Sequence, residues 1–512
     1  MKLEVNMKKT IVDYLEETTL KYSDKIAFIE EKRSVTYKEL QDNSKKIGTG
    51  IIENNKELRN KPIAIYIDKS IACIESMLGI IYSGNFYTVL DTKSPNERIE
   101  LILNTLEPEI IITNRKNESK VQKLNISCKI IFYEDMIKSN INEELLEIVK
   151  SEIIDTNPMY ILFTSGSTGV PKGTVVSHKA VTTYSTWVKE TFDINENTVF
   201  GSQTPFYFSM SISDVFSTIL SGATLCIIPK MYFSFPVKLL EYMNENKINT
   251  IYWVPSALCI VANFGALDIV ELPYLNKILF AGEVMPIKQL NMWINKFPNA
   301  MFANLYGPTE TTDICTYYVV NRKFENTETL PIGKHCDNCD VVIIKEDGTE
   351  AKKGEEGELC VRGSFLASGY YKNPEKTSSA FVQNPLNPYF HEIIYKTGDI
   401  VKYNEYDEII YISRKDFQIK HMGYRIELGE IENRINNIDG VTTCASIYDL
   451  AQKKIVLFYQ GSIEKIDLIN MAKDKLTNYM MPNKVIKIEK MPYNANGKID
   501  RNLLKKMNEE EI

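Results

Sequence analysis

The stretch Tyr160-Ile161-Leu162-Phe163-Thr164-Ser165-Gly166-Ser167-Thr168-Gly169-Val170-Pro171-Lys172-Gly173 runs an apolar strand into a loop of small, hydroxylated and glycine residues. Glycines let backbone N–H groups converge on an anion, hydroxyls add donors, and Lys172 brings a positive charge, which together make a phosphate cradle. A Walker A loop is excluded, because Pro171 precedes Lys172 and Gly173 follows it where that motif needs Gly and then Ser or Thr. Taken alone, the same composition also fits a flexible polar linker.

Outward from this loop, short β-branched runs at 62–67, 109–113 and 250–254 alternate with amphipathic segments at 70–83 and 236–247. That alternation predicts an α/β fold with parallel sheets. The stretch 340–362 reads as alternating strands around the turn Glu346-Asp347-Gly348-Thr349, a smaller β subdomain. Near Arg414 a strand-like 408–412 gives way to the charged Arg414-Lys415-Asp416 and then to a compact α+β pattern. The expected division is therefore a core over 1–415 and a C-terminal domain over 416–512, with a hinge at Asp416; about a hundred residues can fold independently.

A chain of 512 residues is too long for a single compact core, which agrees with this division. Its 60 basic residues face 67 acidic ones, for a net charge of -7 without a clustered basic face, so nucleic acid is not expected as a partner. Residues 1–9 lack the apolar run of a signal peptide, and no segment reaches the roughly 20 apolar residues that span a bilayer, so no membrane insertion is expected. Nine scattered cysteines point to a reducing, cytoplasmic location. Cys336 and Cys339 stand at a metal-like spacing beside His335, but no second pair completes four ligands, and they read as free thiols in a loop.

Further motifs follow in order: Val35-Thr36-Tyr37-Lys38-Glu39-Leu40, Asn304-Leu305-Tyr306-Gly307-Pro308-Thr309-Glu310-Thr311-Thr312, and Gly357-Glu358-Leu359 leading to Ser368-Gly369-Tyr370-Tyr371. They continue through Thr397-Gly398-Asp399, Arg414-Lys415-Asp416-Phe417-Gln418-Ile419-Lys420, Gly423-Tyr424-Arg425-Ile426-Glu427 and Gly497-Lys498-Ile499-Asp500-Arg501. With the 160–173 loop, this set resembles the adenylate-forming superfamily, which includes nonribosomal peptide synthetase adenylation domains, acyl-CoA ligases and firefly luciferase. Phe280-Ala281-Gly282-Glu283-Val284-Met285-Pro286 and the 415–420 segment look like the branch of stand-alone D-alanine–carrier-protein ligases and amino-acid-activating domains.

The resemblance implies two α/β subdomains and a small β-barrel followed by a mobile C-terminal lid, with ATP and Mg²⁺ as cofactors. It implies that the loop Thr164, Ser165, Gly166, Ser167, Thr168 and Gly169 together with Lys172 holds the β- and γ-phosphates. Tyr306 would stack on adenine, Thr309 would contact the α-phosphate, Glu310 would ligate Mg²⁺, Asp399 would bind the ribose and Arg414 would assist beside it. Lys498 would reach from the lid between carboxylate and nucleotide. After adenylation the lid would rotate, withdrawing Lys498 and bringing Gly423 towards an incoming thiol. The implied reaction is acyl-adenylate formation with release of pyrophosphate, then transfer to the phosphopantetheine thiol of a separate carrier protein; the alternatives are an acyl-CoA ligase or a D-alanine–carrier-protein ligase.

The acid pocket departs from the amino-acid-activating pattern. In Phe206-Tyr207-Phe208-Ser209-Met210-Ser211-Ile212-Ser213-Asp214, Ser209 stands where such members carry the aspartate that meets the substrate α-ammonium. A buried ammonium without a charged partner costs several kcal/mol, so an ordinary α-amino acid is disfavoured. Ala281 likewise replaces the cysteine of the D-alanine ligases. By position the lining is Phe208, Ser209, Met210, Ser213, Ala257, Leu279, Ala281, Gly282, Leu305, Asp313 and Ile314. Asp313 is the polar exception and calls for a cation or a strong donor. A small carboxylic acid of two kinds fits: a β- or ω-amino acid such as β-alanine, favoured because a charge pair compensates a buried carboxylate better, or a hydroxybenzoate-type aryl acid.

Overall fold

The computed structural model describes residues 10–31, 33–166, 169–493 and 499–510. The strand opening the decisive stretch is Pro158–Thr164, and it pairs antiparallel with Lys172–Ser177, Thr164 lying opposite Lys172. The phosphate-cradle candidate is thus a hairpin loop and not a linker. These two strands belong to a seven-stranded sheet in the order Gly369–Tyr370, Lys172–Ser177, Pro158–Thr164, Phe86–Val89, Pro62–Tyr66, Ile110–Thr113, Lys129–Phe132. A nine-stranded sheet holds the parallel strands Met301–Tyr306, Lys277–Ala281, Thr250–Trp253, Val199–Ser202 and Thr224–Ile227 at its centre. The β-branched runs read from the sequence fall on these strands to within a residue or two.

The segment at 70–83 reads as amphipathic, yet every residue of the helix Ile71–Tyr82 is buried. Its polar members are met inside the protein: Glu75 accepts from Arg33 at 2.9 Å and from Asn43 at 2.8 Å, so a charge on this face does not require solvent. The Thr36-x-x-Glu39 spacing forms a capping box that opens the helix Tyr37–Asn54.

The third body is a five-stranded antiparallel sheet of Cys339–Ile344, Gly357–Gly363, Ile393–Tyr403, Phe381–Gln383 and Ile409–Arg414. The turn expected at 346–349 is present: Gly348 takes φ +82°, and Lys345 accepts from its N–H at 3.0 Å. Residues from Gln418 onward build the hairpin Gln418–His421 with Tyr424–Glu427, a three-stranded sheet, and apolar clusters of their own around Ile431 and Phe458. Among the described residues, no helix is long and apolar enough to cross a membrane.

Candidate active site

Parallel strands expose their carboxyl ends along one edge, and in open α/β sheets ligands bind there. Here Gln203, Val254, Ala281, Gly282 and Gly307 follow or end strands of the large sheet, and Val89, Leu90, Thr164 and Ser165 end strands of the other; all line one cleft with about 1340 Å³ of empty space. The lid hairpin covers it, contributing Gln418, Lys420, Gly423, Tyr424 and Arg425.

The phosphate loop combines several local requirements. A Cβ on Gly166 would lie 2.1 Å from the Val170 carbonyl oxygen, so only glycine allows the loop to close. Thr164 Oγ1 is buried without a hydrogen-bond partner among the described residues. Ser165 Oγ donates to the Arg425 carbonyl at 2.5 Å, and Gly169 is at φ +81°. Ser167 and Thr168 lie outside the described residues, as does Lys498.

Lys172 Nζ lies 3.2 Å from Glu310 Oε1, which also accepts from Tyr370 Oη at 2.7 Å. Glu310 Oε2 accepts from Arg425 Nη1 at 2.5 Å. Burial alone would raise the Glu310 carboxyl, but Arg425 and Lys172 beside it hold it well below the usual carboxylate range. Burial lowers Lys172, with Glu310 acting in the opposite sense.

The residues expected beside the nucleoside are tied to one another. Asp399 accepts from Tyr306 Oη on Oδ2 and from Arg414 Nη1 on Oδ1 at 2.8 Å, leaving a second acceptor position on each oxygen. Arg414 also grips Asp416 through Nε and Nη2 at 2.6 and 2.8 Å, so the ribose candidate and the hinge candidate share one guanidinium. Lys420 Nζ stands 4.9 Å from the centroid of the ring of Tyr306, the residue expected from the resemblance to stack on adenine. Thr309 Oγ1 donates to Ser209 Oγ at 3.4 Å, which links the expected phosphate contact to the expected acid pocket.

Of the expected acid pocket, Phe208, Ser209, Met210, Ala281, Gly282, Asp313 and Ile314 line the cleft. Ser213, Ala257, Leu279 and Leu305 are buried but do not line it, a correction to the expected lining. Two phenols pack against Asp313. Asp313 Oδ2 accepts from Tyr184 Oη at 2.9 Å and Tyr252 Oη at 3.0 Å. Asp313 therefore has donors supplied by the chain itself. Burial nevertheless pushes its carboxyl up to about 7, against the lowering effect of the two phenols and Ser209. Neither tyrosine belongs to a motif, and the only hint of them was that a buried carboxylate must find donors.

The lid is seated on the core. Met422 and Gly423, both with positive φ, make the two-residue turn of the hairpin. Its tip abuts Val254 so closely that a Cβ on Gly423 would come within 2.4 Å of Val254 Cγ1. Tyr424 stacks on Tyr479 at 3.8 Å and meets Phe208 edge-on at 4.9 Å. On the helix Leu428–Asn436, Glu430 pairs with Arg98, both buried, while Arg434 reaches Glu97 at 2.7 Å and the Gly169 carbonyl at 3.3 Å. Cys336 and Cys339 are buried free thiols that donate weakly to the carbonyls of Ile314 and Cys315.

Residues 15–371, well over half the chain, match the AMP-binding enzyme family. The chain belongs to that family. It is an AMP-forming acid–thiol ligase, as the motif resemblance implies. The ligase is 29% identical to Zwittermicin A synthase ZmaJ of Bacillus cereus over 97% of this chain and 95% of that protein. It is 28% identical to the D-alanine–D-alanyl carrier protein ligase of Lacticaseibacillus casei over 96% and 98%. Other curated relatives are longer, and the ligase spans less than half of their length. The Vibrio cholerae adenylation domain AlmE, solved with glycyl-adenosine-5'-phosphate, superposes with a TM-score of 0.84 over 99% of each chain at 21% identity, a likeness of fold.

Proposed function

We propose that the ligase activates a small carboxylic acid as its acyl-adenylate and passes the acyl group to the phosphopantetheine thiol of a separate carrier protein. The carrying observation is that phosphate loop, ribose-type carboxylate, acid pocket and lid tip open on one cleft. In the first step a carboxylate oxygen attacks the α-phosphorus of ATP and the bond to the β-phosphate oxygen breaks, releasing pyrophosphate. Two anions must meet, so cations and oriented donors have to offset their repulsion. Lys172, Thr164, Thr309 and Arg414 suit that role, and Lys498 is assigned the position between carboxylate and phosphate. In the second step the thiolate sulfur attacks the acyl carbon and AMP leaves; the lid position described above, with Gly423 against Val254, suits this step. Asp416 is the assigned hinge and the boundary between 1–415 and 416–512.

Glu310 is the proposed Mg²⁺ ligand. As the residues stand, they do not fit a metal: both carboxylate oxygens are taken by Lys172, Tyr370 and Arg425. No step is therefore derived through it.

For the acid, we infer a β- or ω-amino acid. Ser209 offers no charge to an α-ammonium, whereas a more distant ammonium reaching Asp313 restores the ionised state that burial opposes. A hydroxylated aryl acid is the second reading, favoured by a carboxylate that already accepts two phenols. Nine free thiols support a cytoplasmic setting. Pyrophosphate exchange into ATP across β-alanine, D- and L-alanine and hydroxybenzoates tests the acid; loading of a phosphopantetheinylated carrier against CoA tests the acceptor. Exchange with no acid would overturn the reaction, and a preference for D- or L-alanine would overturn the pocket reading alone.

A further inference from the structure

Glu310 and Asp313 are both buried carboxylates, and the chain meets them differently. Glu310 has two cations, Arg425 and Lys172, which hold it well below the usual carboxylate range. Asp313 has neutral partners instead, with Tyr184 Oη and Tyr252 Oη donating at 2.9 and 3.0 Å. Both phenols are buried, on the helix His178–Thr191 and the strand Thr250–Trp253, and neither lines the cleft that Asp313 lines. They donate to the same oxygen, Oδ2, and fill its acceptor capacity; neither donates to Oδ1. Two donors on rigid elements fix the plane of the carboxylate, while neutral donors offset the loss of water only in part.

We propose that Tyr184 and Tyr252 are positioning residues for the acid substrate: they pin Asp313 by one oxygen, leave the other for a ligand, and so select an acid that carries its own cation to that carboxylate. The proposal rests on the reading of the acid as a β- or ω-amino acid. It makes two residues outside every motif, and outside the cleft lining, decide the charge that the pocket accepts. Burial pushes the Asp313 carboxyl up to about 7 even with the phenols lowering it, so their loss would keep it protonated to a higher pH. The other titratable groups near enough to interact with it are Asp214 on the helix Met210–Ser221, Tyr160 on the strand Pro158–Thr164 and Cys336 after Lys334–His335. Burial keeps Tyr160 and Cys336 neutral. Asp214, itself pushed up to about 6 by burial with Lys69 acting against it, repels the Asp313 charge.

The test uses the full chain with Tyr184→Phe, Tyr252→Phe and the double variant, which keep the rings and lose only the hydroxyls. Ionisation of Asp313 is read without substrate, as the infrared carbonyl band of the protonated carboxyl that disappears when Asp313→Asn is added to each protein. Its midpoint should rise by about one pH unit in each single variant and by about two in the double. Tyr160→Phe is the control, since that phenol donates to the Thr312 carbonyl instead, and should leave the midpoint in place. The acid limb of kcat/KM for pyrophosphate exchange with β-alanine reports the free enzyme and should follow the midpoint. Tyr252→Phe should therefore lose about tenfold at about pH 6.5 and stay within about twofold of wild type at about pH 9. Midpoints unmoved by both substitutions, or moved as far by Tyr160→Phe, would overturn the role of the two phenols whatever the acid is. Midpoints that rise while the β-alanine limb stays put would overturn the selection of the acid through Asp313. A wild type that exchanges with alanine or a hydroxybenzoate and not with β-alanine would overturn the amino-acid reading, and the infrared midpoints would still decide the role of the phenols.

Discussion

Replacing Asp313 by Asn should stabilise the ligase at alkaline pH, and the gain should fade as the pH falls. Asp313 is almost wholly buried, and burial pushes its carboxyl from the ordinary value of 3.8 up to about 7. Between these values the folded protein keeps a proton that the unfolded chain gives up. Stability from this group is therefore complete below about pH 4, is lost as the pH rises towards about 7, and stays lost above it. At 1.36 kcal/mol per tenfold, the full loss is about 4 kcal/mol, of which about 3 kcal/mol falls between about pH 5 and pH 8. Asn does not ionise, and its amide oxygen can still accept from Tyr184 and Tyr252. Urea unfolding of wild type and Asp313→Asn at about pH 5, 6.5 and 8 should show an advantage for Asn that grows by about 3 kcal/mol across the series. A difference independent of pH would refute the argument, because it would mean that Asp313 does not titrate in this window. The substitution also discriminates the acid: an ammonium substrate should lose more kcat/KM than a phenol, which can still donate to the amide oxygen.

Lys498→Ala should abolish most acyl-adenylate formation and leave transfer from a preformed adenylate intact; equal loss of both half-reactions would reject the role assigned to Lys498. Gly423→Leu should prevent seating of the lid tip, since even a Cβ there comes within 2.4 Å of Val254. Acyl-adenylate should then accumulate, measured by single-turnover assay, and a normal transfer rate would contradict the assignment. Arg98→Met leaves buried Glu430 without its partner, a loss of about 3–5 kcal/mol in this lid position. Transfer should slow while pyrophosphate exchange persists, and a parallel fall of both rates would show that Arg98 serves the core instead.

The sequence by itself determined the α/β class, the glycine-rich loop that follows the strand in 160–173 and the turn at 346–349. These depend on rules that act between near neighbours: a strand ending in glycines, a positive φ that only glycine accepts cheaply, hydroxyls beside a lysine. Only the tertiary structure decided what the buried charges meet. Tyr184 and Tyr252 reach Asp313 across 129 and 61 residues of sequence, and Arg425 reaches Glu310 across 115. A buried carboxylate announces that it needs donors, but which donors arrive depends on how distant elements pack, and no local pattern carries that information. The same reason accounts for the helix Ile71–Tyr82, whose Glu75 looks like a surface charge until Arg33 and Asn43 are packed against it.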